Sequence, residues 1–258
     1  MALAEREHID LVNLDHIITH YNSETDRCLS ENLADLEECL WTKICAYDRQ
    51  INHDFVLCEH LQRISQNGAA FLDYLGFTPK VVENFRRAIL YSKLGYVHAN
   101  DDYNGFRTHD PFRMAGQHYA RQVSDNGREI LENSISAMPD TFQNHPHTRV
   151  VIPALMDFHN ECVNGAGPFA RNGTAMGVII RVAVITDSYE HQFHTRPGTI
   201  PPATPIEAIE HMCGYNGATP GHRMFDRKLL ESYARFQSSR QTTGATTGQA
   251  RETAEKHA

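Results

Sequence analysis

Apolar side chains recur at steps of three and four residues along most of this chain, and that spacing restricts what the chain can fold into. Such a period places an apolar stripe on an α-helix, whereas β-strands need strict alternation, which the sequence lacks. From Ser23 to about Tyr47 the pattern predicts a long amphipathic helix. The same spacing predicts further helices over 54–75, 79–94, 113–123, 127–137, 147–160, 178–185, 205–213 and 225–236. We therefore predict an all-α protein.

Length and composition fit an ordinary globular protein. The chain has 258 residues, of which 41% are hydrophobic and 22% are charged, enough for a sizeable core. No apolar run approaches the roughly 20 residues of a membrane span, and the charged N-terminus lacks a secretory signal. A net charge of −8 argues against nucleic-acid binding. We expect a cytoplasmic protein without a membrane span.

Six cysteines are spread along the sequence without a C-x-x-C pair. This spacing is not typical of a zinc site or of a disulfide framework. We expect all of them to be reduced cytosolic thiols in helices. They are Cys28, Cys39, Cys45, Cys58, Cys162 and Cys213.

The stretch from His159 to Pro197 carries the residues best suited to chemistry. A histidine ends an apolar helical segment, a glycine-rich turn follows, and the apolar run 178–185 leads to Asp187. An imidazole, a tight loop and a carboxylate on a buried helix are the parts of a metal or phosphate site. The loop at 164–169 could hold a phosphate through backbone N–H groups. A tight interhelical turn that glycine makes possible is the alternative we favour.

Nine short segments between about residues 55 and 237 occur in the order of one known family. They are H-L-Q-R-I at 60–64, L-Y-S-K-L-G-Y at 90–96, G-R-E-I-L at 127–131, H-N-E at 159–161, N-G-A-G-P-F at 164–169, R-V-A-V-I-T-D-S-Y-E at 181–190, R-P at 196–197, P-I-E-A-I at 205–209 and F-D at 225–226. Together they resemble the HD-GYP family, the branch of HD-domain phosphohydrolases that degrades cyclic di-GMP. The resemblance implies an HD-domain-like helical bundle of the HD-GYP type.

The resemblance also implies a metal site. In the family, imidazoles and carboxylates hold two or three metal ions that activate water for attack on phosphorus. The residues that survive here as candidate metal ligands are His60, His159 and Asp187, a set that suits one ion of iron, manganese or zinc. Arg196 matches an arginine that contacts phosphate in the family, so it is the candidate for nucleotide binding.

Other positions depart from the family pattern. The degenerate positions are Val56, Ser92, Lys93, Tyr96, Val123 and Asn160. Ser92 and Lys93 stand where the family has its His-Asp doublet, and a lysine ammonium repels a metal ion at close range. Lys93 could itself occupy the cation position and pair with Asp187. We therefore expect no cofactor and no catalysis by the family mechanism.

Replacement ligands are an alternative that would restore a metal site. They would come from the polar segment 98–118 if it folds over the cluster. The candidates are His98, Asp101, Asp102, His109 and His118.

Three regions and one function follow from this interpretation. We predict an N-terminal helical extension over 1–50, a degenerate HD-GYP-like domain over 51–237 and a disordered tail over 238–258. The expected function is a regulatory or interaction module of bacterial cyclic di-GMP signalling. It would bind a protein partner, such as a GGDEF-domain protein, or the nucleotide without hydrolysis. The alternatives are an active metal-dependent phosphodiesterase with a nonstandard ligand set, and a structural element that oligomerises through 1–50.

Two surfaces are candidates for partner binding. In the family the loop that matches 164–169 docks partner domains, and Pro168 and Phe169 would be its exposed apolar anchors. The loop residues concerned are Asn164, Gly165, Gly167, Pro168 and Phe169. The helix from Ser23 could instead form a homodimer, although its acidic face is also explained as a solvated surface.

Overall fold

The computed structural model describes residues 14–19, 23–50, 57–98, 114–192, 204–215 and 224–240. The α-helices in these segments are α1 (Leu14–Thr19), α2 (Ser23–Gln50), α3 (Leu57–Tyr74), α4 (Pro79–Ile89), α5 (Met114–Ile135), α6 (Asp140–Gln143), α7 (Ile152–Phe158), α8 (Val178–Gln192), α9 (Pro205–Tyr215) and α10 (227–240). Short 3₁₀ turns cover Leu94–His98 and Gly173–Ala175, and a π-helical turn covers His147–Val151. The described segments contain no strand, which confirms the all-α prediction.

Helix α8 lies at the centre of the fold. It is apolar nearly all round, from Ile179 and Ile180 to Val184 and Ile185, and a helix of that kind has to be buried on every side. Helices α1, α3, α7 and α9 pack around it. A polar residue that α8 carries, such as Asp187, is therefore held in the interior.

Helix α2 belongs to the same core. Its apolar stripe, which includes Leu33, Leu36, Leu40 and Ile44, is buried against the other helices. The helix contacts α3, α5 and α6. Because this stripe is already covered within the chain, a homodimer through α2 would have to use its charged outer face, and that remains a prediction.

Helix α5 is continuous where the sequence pattern predicts two helices. Gly127, where the second predicted helix begins, lies inside α5. Its role is close packing: a Cβ atom on Gly95 would lie 1.7 Å from the carbonyl oxygen of Val123, and one on Gly127 would lie 3.1 Å from the backbone nitrogen of Gly95. The two glycines let the 3₁₀ turn at Leu94–His98 rest on the α5 backbone.

Other helix boundaries differ by up to about two turns, as for α8, which continues to Gln192 beyond the predicted 185, and some are as predicted. Thr78 caps α4 with its side chain and Pro79 opens the helix, but α4 ends at Ile89 rather than at 94. The segment 147–160 is a π-helical turn followed by the short α7. Helix α10 runs to residue 240, so 238–240 are not part of a disordered tail; residues 241–258 lie outside the described part. No helix among the described residues is long and apolar enough to cross a membrane.

His147 is a buried titratable residue outside the set of candidate ligands. Its side chain is fully buried, and neither ring nitrogen finds a hydrogen-bond partner among the described residues. Burial, together with the nearby His145 and Arg87, lowers the pKa of His147 to about 3. The imidazole is therefore neutral near pH 7.

Protonation of His147 should destabilise the fold. Its folded-state pKa lies below the unfolded value of about 6.5, so stability is intact above pH 6.5 and falls by about 1.4 kcal/mol per pH unit as the pH drops toward 3. We expect His147→Leu to be at least as stable as the wild type at pH 7. Between pH 6.5 and 4.5 its free energy of unfolding should fall less steeply, by about 1.4 kcal/mol per pH unit less, because one proton fewer is taken up on unfolding. Urea unfolding at several pH values measures this. His118→Leu, at an exposed position, is the control. An unchanged slope in His147→Leu would contradict the assignment.

Candidate functional site

Four polar side chains meet in the core at Asp187 on α8. His60 Nε2 lies 3.1 Å from Asp187 Oδ1, and Lys93 Nζ lies 3.0 Å from Asp187 Oδ2. Lys93 Nζ is also 3.3 Å from Nε2 of His191, whose ring centroid is 4.6 Å from that of His60. Lys93 and His60 are fully buried. The predicted pairing of Lys93 with Asp187 is thus present in the structure.

Three chain segments bring these groups together. His60 lies in the first turn of α3, and Asp187 and His191 lie one turn apart on α8. Lys93 follows α4 in tight turns, where the N–H groups of Ser92 and Leu94 donate to the carbonyl oxygens of Ile89 and Tyr91. These turns direct the lysine away from the α4 axis and into the space beside α8.

The charges in the cluster compensate each other. Burial alone would raise the pKa of Asp187, but the Lys93 ammonium, together with His191 and the hydrogen bond from His60, holds it well below its ordinary value. Burial lowers the pKa of Lys93, and the Asp187 carboxylate partly opposes this. We infer an ionised Asp187 beside a lysine ammonium, an ion pair in a water-poor setting.

His60 acts as a neutral donor in this cluster. Burial is the main reason that its pKa falls to about 4, and the positive charge of Lys93 adds to the effect although the Asp187 hydrogen bond opposes it. At neutral pH the Nε2–H group therefore donates to the carboxylate. Asp187 in turn has both of its oxygens occupied by donors.

His159 has other partners than the sequence predicts. Its Nδ1–H group donates to the carbonyl oxygens of Leu155 and Met156, at 2.9 and 3.1 Å, and its Nε2 accepts from the Asn160 amide at 2.9 Å. Burial and then Lys93 lower its pKa to about 4. Both ring nitrogens are thus engaged outside the group formed by His60, Asp187 and His191.

His191 is the member of the cluster that sequence reasoning misses. It stands four residues after Asp187, and that helical spacing alone places the two side chains on one face. Ligand atoms of His60, Asp187 and His191 all lie within 4.8 Å of one another, so they could hold a metal ion. However, the Lys93 ammonium is hydrogen-bonded to two of these three residues. The residues present therefore do not fit a metal ion while Lys93 stays where it is.

The remaining degenerate positions are built into the core or lie outside the described residues. Ser92, Tyr96 and Val123 are buried, and Tyr96 packs near the ring of Tyr119. Val56 and Arg196 lie outside the described part of the chain, as do three of the candidate replacement ligands, Asp101, Asp102 and His109. The other two, His98 and His118, are described and exposed, whereas the cluster at Asp187 is buried.

The loop after His159 is a tight, internally bonded turn. The carboxylate of Glu161 accepts hydrogen bonds from the N–H groups of Phe169 and Arg171, and the Ala166 N–H donates to Asn164 Oδ1. Gly165 has a φ of 76°, which favours glycine. Because these N–H groups already have acceptors, the loop fits the interhelical turn that we favoured over a phosphate cradle.

Helix α5 holds the outer side of this loop. Gln117 Nε2 donates to the Ala166 carbonyl at 2.7 Å, and Arg121 donates to the Pro168 carbonyl. Pro168 is buried and Phe169 is half-buried, with its ring edge-on to that of Phe158. The expectation of two exposed apolar anchors is therefore wrong for Pro168, because α5 and the core cover it.

Comparisons with known proteins identify the fold. No protein-family model and no curated protein matches the chain. Among solved structures it is similar to "Bd1817, a HDG"Y"P protein from Bdellovibrio bacteriovorus", with 12% sequence identity and a TM-score of 0.50. The similarity covers 87% of this chain and 67% of that chain. The fold is HD-domain-like. At this identity the comparison shows the shared fold and leaves the activity to the residues of the site.

A double-mutant cycle tests the buried ion pair. Lys93→Met leaves the Asp187 charge buried without its cation and should cost about 3–5 kcal/mol of the free energy of unfolding. Asp187→Asn should cost a similar amount because it leaves the ammonium unpaired. The double variant should recover about 2 kcal/mol or more relative to the sum of the two losses. Urea unfolding at pH 7 gives all four values.

A surface pair provides the control for this cycle. Lys80 Nζ and Asp26 Oδ2 are 2.9 Å apart, but their side chains are 34% and 43% exposed. The matching cycle there should show a coupling of roughly 1 kcal/mol or less. If the double variant loses as much free energy of unfolding as the two single variants together, Lys93 and Asp187 do not act as a pair.

Proposed function

We propose that this chain is a catalytically degenerate HD-GYP-like module of bacterial cyclic di-GMP signalling. It binds a protein partner, with a GGDEF-domain protein as the candidate, or the nucleotide, without hydrolysing it. The observation that carries the proposal is the Lys93 ammonium, fully buried and 3.0 Å from Asp187 Oδ2. It takes the position next to the carboxylate where a hydrolytic site of this type needs a metal ion.

Electrostatics support the loss of metal-dependent hydrolysis. A divalent ion 4 Å from an ammonium is repelled by about 8 kcal/mol at an effective dielectric constant of 20. A metal that activates water also needs an open coordination position and several free ligands. Here Asp187 and His191 both contact Lys93, and His159 is bonded to backbone carbonyls and to Asn160.

Partner binding is the function that remains for such a domain. In the loop 164–170 the exposed residues are Asn164, Ala166 and Ala170, while the larger apolar residues Pro168 and Phe169 are buried and half-buried. A partner that docks here would meet a surface of small side chains in a conformationally fixed loop. This suits a regulated, reversible contact better than a permanent apolar interface.

The second candidate is a metal-dependent phosphodiesterase with a nonstandard ligand set. The cluster of His60, Asp187 and His191 favours it, since two imidazoles and a carboxylate are a workable set for iron, manganese or zinc. This candidate requires Lys93 to leave its two acceptors. It also replaces the predicted third ligand, His159, by His191.

Metal content and turnover separate the two candidates. Protein purified without a polyhistidine tag should contain less than about a tenth of an equivalent of iron, manganese or zinc, because no open ligand set is available. It should show no turnover of cyclic di-GMP. Inductively coupled plasma mass spectrometry and nucleotide chromatography measure both. Near-stoichiometric metal that disappears in Asp187→Ala, with turnover, would establish the second candidate instead.

Nucleotide binding separates a signalling module from a purely structural element. If the domain senses cyclic di-GMP through the predicted phosphate contact, Arg196→Ala should weaken binding about 10- to 100-fold, the worth of a charge-assisted hydrogen bond. Isothermal titration calorimetry measures the affinity. Arg227→Ala, at an exposed arginine on α10, should leave it unchanged. No binding by the wild type would rule out the nucleotide as the ligand and leave the protein partner.

A further inference from the structure

Two cysteine thiols from different helices lie in contact. Cys45 on α2 and Cys58 on α3 have their sulfur atoms 3.1 Å apart. A disulfide bond needs about 2.05 Å, so the sulfurs have to approach by only about 1 Å. Both residues are only partly buried, which leaves them open to a small oxidant.

An independent set of hydrogen bonds holds these two segments in register. Asp48 follows Cys45 by one turn of α2, and its two carboxylate oxygens accept from the N–H groups of Leu57 and Cys58, each at 2.8 Å. A carboxylate at the start of a helix satisfies free donors and interacts favourably with the helix dipole. The Asp48 cap therefore fixes the start of α3 against the end of α2 without any help from the sulfurs.

The other thiols with a described contact have different partners. Cys28 lies 3.3 Å from the Thr141 hydroxyl and Cys39 lies 3.8 Å from the Ser134 hydroxyl. These contacts offer no second sulfur for a bond. Cys45 and Cys58 thus form a pair that the sequence spacing does not reveal.

We propose that Cys45 and Cys58 are a modification site that forms an intramolecular disulfide on exposure to a peroxide. One thiolate attacks the O–O bond of hydrogen peroxide, giving a sulfenic acid and, after protonation, water. The second thiol attacks the sulfenic sulfur, the S–S bond forms, and hydroxide takes up the thiol proton as a second water. Two thiols are oxidised by two electrons, and one peroxide is reduced to two waters.

The bond would tie α2 to the first turn of α3, two residues before His60. The 3.1 Å contact between the two sulfur atoms directs the reaction to one product. The cross-link closes a short loop, so it should raise the melting temperature by roughly 5–10 °C.

The test is peptide mapping of the full chain after peroxide treatment. Trypsin cuts after Lys43, Arg49 and Arg63, so Cys45 and Cys58 fall in separate peptides, 44–49 and 50–63. With excess hydrogen peroxide and subsequent alkylation, we expect these two peptides to be linked and the melting temperature to rise. Both effects should reverse with dithiothreitol. Of the six free thiols, four should then remain open to alkylation under denaturing conditions.

Matched variants decide the outcome. Cys45→Ser should abolish the linked peptide and the thermal shift, while Cys39→Ser, on the same helix, should retain both. Six alkylated thiols after prolonged oxidation, or links that join other cysteines or two chains, would overturn the proposal. None of these readouts depends on nucleotide binding or metal, so this inference and the proposed function fail separately.

Discussion

The buried ion pair between Lys93 and Asp187 is the interaction on which the rest of the site depends. Moving an ammonium and a carboxylate out of water costs several kcal/mol for each ion, and attraction offsets this only with good geometry and further hydrogen bonds. His60 and His191 supply those contacts. The pair therefore requires α3, the turns after α4 and α8 to meet at one place. The apolar surface of α8 helps to close this place off from water, and Lys93 and Asp187 are both buried.

The helical architecture could be predicted because apolar residues that recur every three or four positions form one apolar stripe along a helix. The misjudged boundaries lie where contacts between distant backbones decide the structure. The pattern predicts a second helix that begins at Gly127, yet α5 continues through this residue, and the missing Cβ atom there leaves room for the close approach of Gly95. The π-helical turn at His147–Val151 is equally invisible to a periodicity argument.

The charged pair of the candidate site could be predicted from the sequence, but the choice of the histidines that join it could not. His60, Lys93 and Asp187 stand at positions that the HD-GYP resemblance aligns, and opposite charges at facing positions indicate a pair. The choice between His159 and His191 depends on which ring nitrogens the backbone engages, and residue type does not encode that. His159 is held by two carbonyl oxygens of its own helix, whereas His191 faces Asp187 because the two are four residues apart.

The start of α3 is fixed by two carboxylates from different helices. This bears on whether the cluster could rearrange to bind a metal ion. Asp48 binds the N–H groups of Leu57 and Cys58 from the side of α2, and Asp187 binds His60 from the side of α8. A metal ion at Asp187 would have to expel Lys93 from both of its acceptors. Since α3 is held on two sides, the helix offers little movement to make room, and an expelled ammonium would need a new partner in a dry interior. The energy of this arrangement therefore favours Lys93 as a permanent internal cation, and this supports the proposed loss of metal-dependent hydrolysis.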